Sequence, residues 1–379
     1  MRRPAAIALT LWIGALASIA SVSSGAVPDQ GLEALRSAGA EGFSRAQQPR
    51  EFAFPRDHGP HEDFRHEWWY LTGNLVSASG ERFGFELTFF RIALAPAPDA
   101  AGTKVDSAWR TRQVYMAHFA ITDVARGRFR FAQRFSRDAL GLAGAEAAPF
   151  HVWLDDWRLG GTPGGKIHAQ QKGYELDLDV ESLAAPILNG HQGLSIKSSE
   201  PGAASYYYSI PRVEVKGELR REDTAIPVKG TAWLDREWGS GSLGANEVGW
   251  DWFALQLDDG GALMFYGLRN RDGTRDKHSA GTWVDASGIA HELASQDVQI
   301  DAGDYWNGPR GGRYPAKWRV RVASLALDVE VRPVLPDQEL GTYPRYWEGA
   351  VDVSGTHSGA KTGGRGYVEL VGYSNEKGR

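Results

Sequence analysis

"HEWWYLTGNL", residues His66–Leu75, decides how the chain is read. If it is an extended strand, its side chains alternate between two faces. His66, Trp68, Tyr70, Thr72 and Asn74 then share one face, and Glu67, Trp69, Leu71 and Gly73 share the other. The first face mixes rings with hydrogen-bonding tips, as the wall of a half-polar ligand pocket does. The alternative is a packed barrel interior whose polar tips bond one another. The next stretch, "RFGFELTFFR" (82–91), keeps the period of two: Phe83, Phe85, Leu87 and Phe89 form an apolar face, while Glu86, Thr88 and Phe90 point the other way. A glutamate set among aromatics either pairs with an arginine, for which Arg91 or Arg112 would serve, or holds its proton above the usual range.

The same alternation recurs in "VYMAHFAITD" (114–123), "GRFRFAQRF" (127–135), "YELDLDVE" (174–181), "YYYSIP" (206–211), "VEVKGEL" (213–219) and "YVELVGY" (367–373), each bounded by turn residues. "LDDGGALMFY", within "WFALQLDDGGALMFYGLR" (252–269), reads as a hairpin turning on Asp-Gly or Gly-Gly. Helical periodicity is confined to the N-terminus and "GLEALRSAG" (31–39). The chain therefore reads as all-β, with strands spaced as in barrels or sandwiches. A boundary is expected near residues 209–212, where "YYYSIP" ends one strand set and "RVEVKGEL" opens another. It divides the chain into domains of 50–210 and 211–376, each large enough for an eight-to-ten-stranded barrel. His118, alone in an apolar strand, is either a satisfied core residue or part of the pocket.

The N-terminus begins Met1-Arg2-Arg3, continues through an apolar run from Ala5 to Ala20 and ends in small residues at Ser24-Gly25-Ala26. Residues 1–26 have the form of a cleaved secretory signal, which implies a periplasmic or secreted protein. Nothing later in the sequence is long and apolar enough for a membrane span. Among the 379 residues there is no cysteine, which excludes disulfides, thiolate metal sites, a cysteine nucleophile and a lipidated N-terminal cysteine. Residues 1–26 hold two of the 42 basic side chains and none of the 47 acidic ones, so the mature net charge is −7. That charge argues against nucleic acid as a partner.

The densest group of chemically capable residues is "GTAWLDREWGSGSLGANEVGWDWFALQL" (230–257). Asp235, Glu237 and Asp251 lie there among Trp233, Trp238, Trp250 and Trp252, with Arg236 between two of the acids. Hydrating or isomerising an unactivated alkene needs a strong proton donor and a shelter for the carbocation. A desolvated carboxylic acid supplies the first and indole faces the second. On this reading Asp235 or Asp251 donates the proton, Trp250 and Trp252 shelter the cation, and Glu237 with Arg236 orients. His66, Trp68, Tyr70, Glu86, His118 and Trp233 extend the ligand pocket. The competing reading makes Asp235, Arg236 and Glu237 a buried ion-pair knot at the domain junction, with the tryptophans as packing. "GSGSLG" (239–244) fits G-x-G-x-x-G but lacks a following helix, so no dinucleotide site is expected. No G-x-S-x-G is present to mark an α/β-hydrolase serine. The histidines of "DHGPHEDFRHE" (57–67) sit partly in a Gly-Pro loop, and neither a metal nor an organic cofactor is expected.

Four long stretches, "FPRDHGPHEDFRHEWWYLTGNL", "GTAWLDREWGSG", "GWDWFALQLDDGGALMFYGLR" and "YWEGAVDVSGTHSGAKTGGRGYVELVGY", together resemble the AttH-like family, which is related to carotenoid 1,2-hydratase (hydroxyneurosporene synthase). The resemblance covers about Phe54 to Tyr373. It implies two packed lipocalin-like barrels, which enclose apolar ligands, and, in the hydratase branch, cofactor-independent addition of water to an isoprenoid double bond. The AttH branch is associated with ABC-export gene sets, so an exporter is an alternative partner. The signal segment departs from the hydratase pattern, and the hydratase catalytic residues have no clear counterpart here. The expectation is therefore an exported binder of an apolar or lipid-like molecule, with an alkene hydratase or isomerase, or an export accessory, as alternatives.

Overall fold

The computed structural model describes residues 41–96, 111–241 and 243–373. The expected signal segment and the short helix at 31–39 lie outside the described residues. Thirteen strands form a first antiparallel sheet: β1 (His66–Ser77), β2 (Arg82–Ala93), β3 (Gln113–Asp123), β4 (Arg128–Arg137), β5 (Ala143–Ala147), β6 (Phe150–Leu154), β7 (Trp157–Gly160), β8 (Lys166–Gln171), β9 (Tyr174–Leu183), β10 (Ile187–Leu188), β11 (Leu194–Ile196), β12 (Ala204–Arg221) and β13 (Thr224–Gly239). Ten form the second: β14 (Glu247–Leu257), β15 (Ala262–Asn270), β16 (Ala280–Val284), β17 (Ala290–Ala294), β18 (Val298–Asn307), β19 (Arg313–Val322), β20 (Leu327–Pro333), β21 (Glu339–Leu340), β22 (Tyr346–His357) and β23 (Ala360–Val371). Each sheet curls into a near-barrel around its own apolar core. The all-β expectation holds, and the hairpin turn falls at Asp258–Gly261, where Gly260 takes a φ of +94° that favours glycine.

Along the first sheet the order is β4-β3-β2-β1-β13-β12-β9-β8-β7-β6-β5, so β1 lies between β2 and the last strand of its own sheet. The break between the sheets falls between Gly239 and Glu247, not at 209–212. "YYYSIP" and "RVEVKGEL" are one strand, β12, whose register against β13 shifts between Ile210 and Val213. That bulge around Pro211 looks like a boundary in the sequence because a strand-interior proline is normally confined to such irregularities.

The alternation of β1 and β2 is resolved by what lies on each face. Trp69, Leu71, Leu75, Phe83, Phe85, Leu87 and Phe89 fill the first barrel. The opposite face, carrying Tyr70, Asn74 and Glu86, packs outside the barrel against the second sheet. Tyr70 donates a hydrogen bond to Glu348, Asn74 Nδ2 donates to the Gly366 carbonyl at 3.2 Å, and Tyr346 donates to Glu86 at 2.8 Å. A third apolar cluster, including Tyr207, Trp233, Trp252, Tyr266 and Tyr346, fills the seam between the barrels. The sheets approach closely there: a Cβ on Gly84 would stand 2.6 Å from the Tyr367 hydroxyl. Among the described residues no helix is long and apolar enough to cross a membrane.

Candidate active site

An open cleft enters this seam, holding about 700 Å³ of empty space including its mouth. The cleft is walled by Trp68 and Tyr70 of β1, Phe90 of β2, Tyr207 of β12, Asp235 and Glu237 of β13, Trp250 and Trp252 of β14, Tyr266 and Leu268 of β15 and Glu369 of β23, with Lys197 just after β11. The resemblance implies barrels that enclose their ligands, but this cleft lies between the two barrels. The barrel interiors are packed, and the pocket is built from the outer faces of both. Trp69, which alternates inward, is core alone, whereas Trp68 and Tyr70 are wall.

Strand alternation sorts the acids of the 230–257 stretch. Asp235 and Glu237 are two residues apart on the outer face of β13, so their backbones are roughly 6.5 Å apart. Asp235 Oδ1 accepts hydrogen bonds from the Ser209 hydroxyl and, at 3.0 Å, from Trp233 Nε1. The Tyr207 hydroxyl is a further donor to this carboxyl. Burial pushes the Asp235 carboxyl up to about 7, against the pull of these donors. Glu237 Oε1 accepts from the Ser205 hydroxyl and lies 3.2 Å from Lys197 Nζ. Burial works against the lysine's charge, but Glu237 more than offsets it, so the ammonium holds its proton more tightly than usual. The ammonium also lies 3.9 Å from the centre of the Tyr266 ring. Across the cleft, Trp250 Nε1 donates to Glu369 Oε2 at 2.8 Å, and burial together with neighbouring acids pushes Glu369 up to about 8.

Arg236 and Asp251 point the other way. Arg236 turns into the first barrel, where its guanidinium lies 4.1 Å from the Trp69 ring centre and 3.0 Å from Glu67. Arg236 therefore does not pair with Glu237; Lys197 does. Asp251 faces the second barrel's interior, with Arg269 at 3.1 Å and the Tyr373 hydroxyl at 2.9 Å. Burial raises its pKa, but it does not line the cleft, so it is withdrawn as a proton donor. The ion-pair knot exists, but around Glu67, Arg91 and Arg236 rather than around Asp235, Arg236 and Glu237.

The remaining candidates surround the cleft without lining it. Trp233 holds Asp235. Glu86 pairs with neither Arg91 nor Arg112; burial pushes it up to about 7, with the Tyr346 and Thr88 hydroxyls opposing the shift. His118, fully buried, bonds Tyr346 Oη at 2.6 Å and Gln133 Nε2 at 2.7 Å, and burial lowers it to about 3. It is a satisfied neutral histidine. His66 lies on the same face as Trp68 with neither ring nitrogen hydrogen-bonded, and burial with Arg65 and Arg91 nearby lowers it to about 3. His58 bonds Tyr208, and His61 stacks on Trp238 with its ring centre 3.8 Å away.

Lys197, Tyr207, Tyr266, Glu348 and Glu369 were not singled out from the sequence. The last two sit in alternating stretches, "YWEGAV" (346–351) and "YVELV" (367–371), where an acid shares a face with tyrosine. Lys197 lies in a loop of no marked pattern.

The AttH-like family profile matches residues 45–373. The chain belongs to the AttH-like family. Among solved structures, an AttH from Nitrosomonas europaea is 34% identical and aligns over 87% of this chain and 100% of its own, with a TM-score of 0.75. Kievitone hydratase from Fusarium solani subsp. phaseoli is 23% identical over 217 residues, which is 55% of this AttH-like chain and 60% of that enzyme's length. The crystal structure of kievitone hydratase from Nectria haematococca aligns over 87% of this chain and 98% of its own at 13% identity, with a TM-score of 0.62, and shares the two-barrel fold.

Proposed function

We propose that this AttH-like protein hydrates an alkene of an apolar, isoprenoid-like molecule in the seam between its barrels, by acid catalysis and without a cofactor. The observation that carries the reading is the pairing, on one face of β13, of an acid raised to about 7 with an ion-paired carboxylate two residues away. The similarity to kievitone hydratase supports it.

The chemistry follows from the spacing. The Asp235 carboxyl gives its proton to one alkene carbon, and the positive charge on the neighbouring carbon lies against the faces of Trp250 and Trp252. The two acids stand side by side on one face of β13, where the alkene and one water would meet both. Glu237 Oε2, the oxygen not engaged by Ser205 or Lys197, takes a proton from that water as its oxygen bonds to the cation. The product is an alcohol one water heavier than the substrate. Glu369, held by Trp250, is a second protonated acid on the opposite wall.

The N-terminal segment makes a periplasmic or secreted location part of the proposal. To test the reaction, farnesol would be incubated with the purified mature protein in oxygen-18 water and analysed by mass spectrometry. A product heavier by one labelled water, absent with Asp235→Asn, is expected. Farnesol bound and recovered unchanged would overturn the hydratase and leave a carrier of apolar molecules, whether free-standing or serving an exporter.

A further inference from the structure

Glu369 of β23 walls the cleft but has no task in the scheme above. It stands on the seam face of its strand, since its neighbours Val368 and Leu370 fill the second barrel. Its direct cross-strand partners are Trp252 of β14 on one side and Glu348 of β22 on the other. Trp250, two residues before Trp252, donates its indole N–H to Glu369 Oε2 at 2.8 Å. The two rings that shelter the cation therefore bracket this one acid, and the indole bond holds one of its oxygens in place.

The other oxygen is left for a ligand. Glu369 Oε1 has no hydrogen bond among the described residues and is not sealed away, because the side chain is half-buried and faces the cleft. Among the described residues no lysine, arginine or histidine forms an ion pair with Glu369. Lys197, the only cation among the described lining residues, lies 3.2 Å from Glu237 instead. Asp235 and Glu237 line the same cleft, and Glu348 is the neighbour across the strand. A carboxyl with an indole as its donor, acids around it and no cation beside it keeps its proton. Oε1 thus presents an O–H to a wall of aromatic rings.

That O–H selects among ligands. A hydrocarbon filling the cleft would cover it without a partner, which costs free energy. An anion would meet three acids, Asp235, Glu237 and Glu369, with the lining lysine already paired. A neutral oxygen, as in an alcohol, ether or ketone, satisfies the O–H and brings no charge into the seam. We propose that Glu369 binds a neutral oxygen of the ligand, so that the cleft takes an oxygenated apolar chain in preference to a hydrocarbon or an anion. The inference deepens the hydration reading and rests on it for the reaction. With the oxygen held at Glu369, the chain beyond it lies along Trp250 and Trp252 and brings an alkene to Asp235 on the facing sheet. No bond is made or broken at Glu369.

Equilibrium binding near pH 6 tests the assignment in the full-length mature protein carrying Asp235→Asn, which is expected to bind without turnover. The probes are farnesol, farnesyl methyl ether, whose oxygen only accepts, and farnesene, which has no oxygen. Adding Glu369→Leu is expected to weaken farnesol and the ether about fivefold or more and to leave farnesene within about twofold. Adding Glu369→Gln, whose amide still donates, should keep the ether within about twofold. Loss of the indole's partner, or repacking of the wall, acts on all three probes alike, so an equal change in all three would overturn the proposal, as would no change. Weakening of farnesol alone would make Glu369 an acceptor and overturn it as well. These binding results are read whether or not the wild type adds water, so failure of the hydration reading, seen as the absence of labelled product, is distinguished from failure of the oxygen site.

Discussion

Two sets of carboxyl groups in this molecule are equally buried and behave oppositely. At the mouth of the first barrel, Glu67 is fully enclosed, but Arg91 bonds one oxygen, Arg236 lies 3.0 Å from the other and His61 caps them. Burial works against its ionisation, yet those three groups hold its carboxyl well below the usual range. In the seam, Glu86, Glu348, Glu369 and Asp235 are equally enclosed but meet tyrosine and tryptophan donors instead of arginines, and all four are pushed up. Burial therefore does not decide whether a carboxyl is charged; its partners do. The arrangement that locks the barrel would disable the cleft, because an arginine beside Asp235 would take away its proton.

The largest break in the comparison is expected from Asp235→Asn. Turnover should fall by about 100-fold or more, with ligand affinity unchanged within a few-fold, as read by steady-state kinetics and equilibrium binding. Next is Glu67→Gln, which leaves Arg91 and Arg236 buried without their counter-charge. Denaturant unfolding should show a loss of about 3–5 kcal/mol. Glu348→Gln keeps an acceptor for Tyr70 and removes little or no charge, so the same experiment at pH 7 should show a change within about 1 kcal/mol.

The pH dependences of the two regions should run in opposite directions. Asp235 and Glu369 are raised to about 7 and about 8, so the stability they contribute is complete below the ordinary carboxylate range and is lost as pH rises through those values. Glu67 is depressed, so its contribution is present above the ordinary range and is lost as pH falls below it. Unfolding curves should show the alkaline loss diminished in Asp235→Asn and the acid loss diminished in Glu67→Gln. Turnover should fall as pH rises through about 7 as Asp235 loses its proton. The smallest effect is expected from Asp251→Asn, which faces the second barrel's interior; its turnover should stay within a few-fold of wild type.

Much of the fold was legible because alternation is a local property. The two faces of "HEWWYLTGNL" were assigned correctly from period alone. What period cannot say is which face looks inward, since both carry large apolar groups: Trp69 and Leu71 fill a barrel, while Trp68 and Tyr70 wall a cleft outside it. Asp235, Glu237, Trp250 and Trp252, which line one cleft, crowd one stretch of sequence. Arg236 and Asp251 were misplaced for the same reason, since neighbours on a strand point apart. Glu348, Glu369 and Lys197 reach the site from elements far along the chain, and only the packing of one barrel on the other brings them together.

Neutron diffraction from a deuterium-exchanged crystal near pH 6 tests the central claim most directly, because it reads both regions at once. The account predicts a deuteron on the Asp235 carboxyl and on the Glu369 carboxyl, and none on Glu67. Bare oxygens on Asp235 and Glu369, or a deuteron on Glu67, would contradict it.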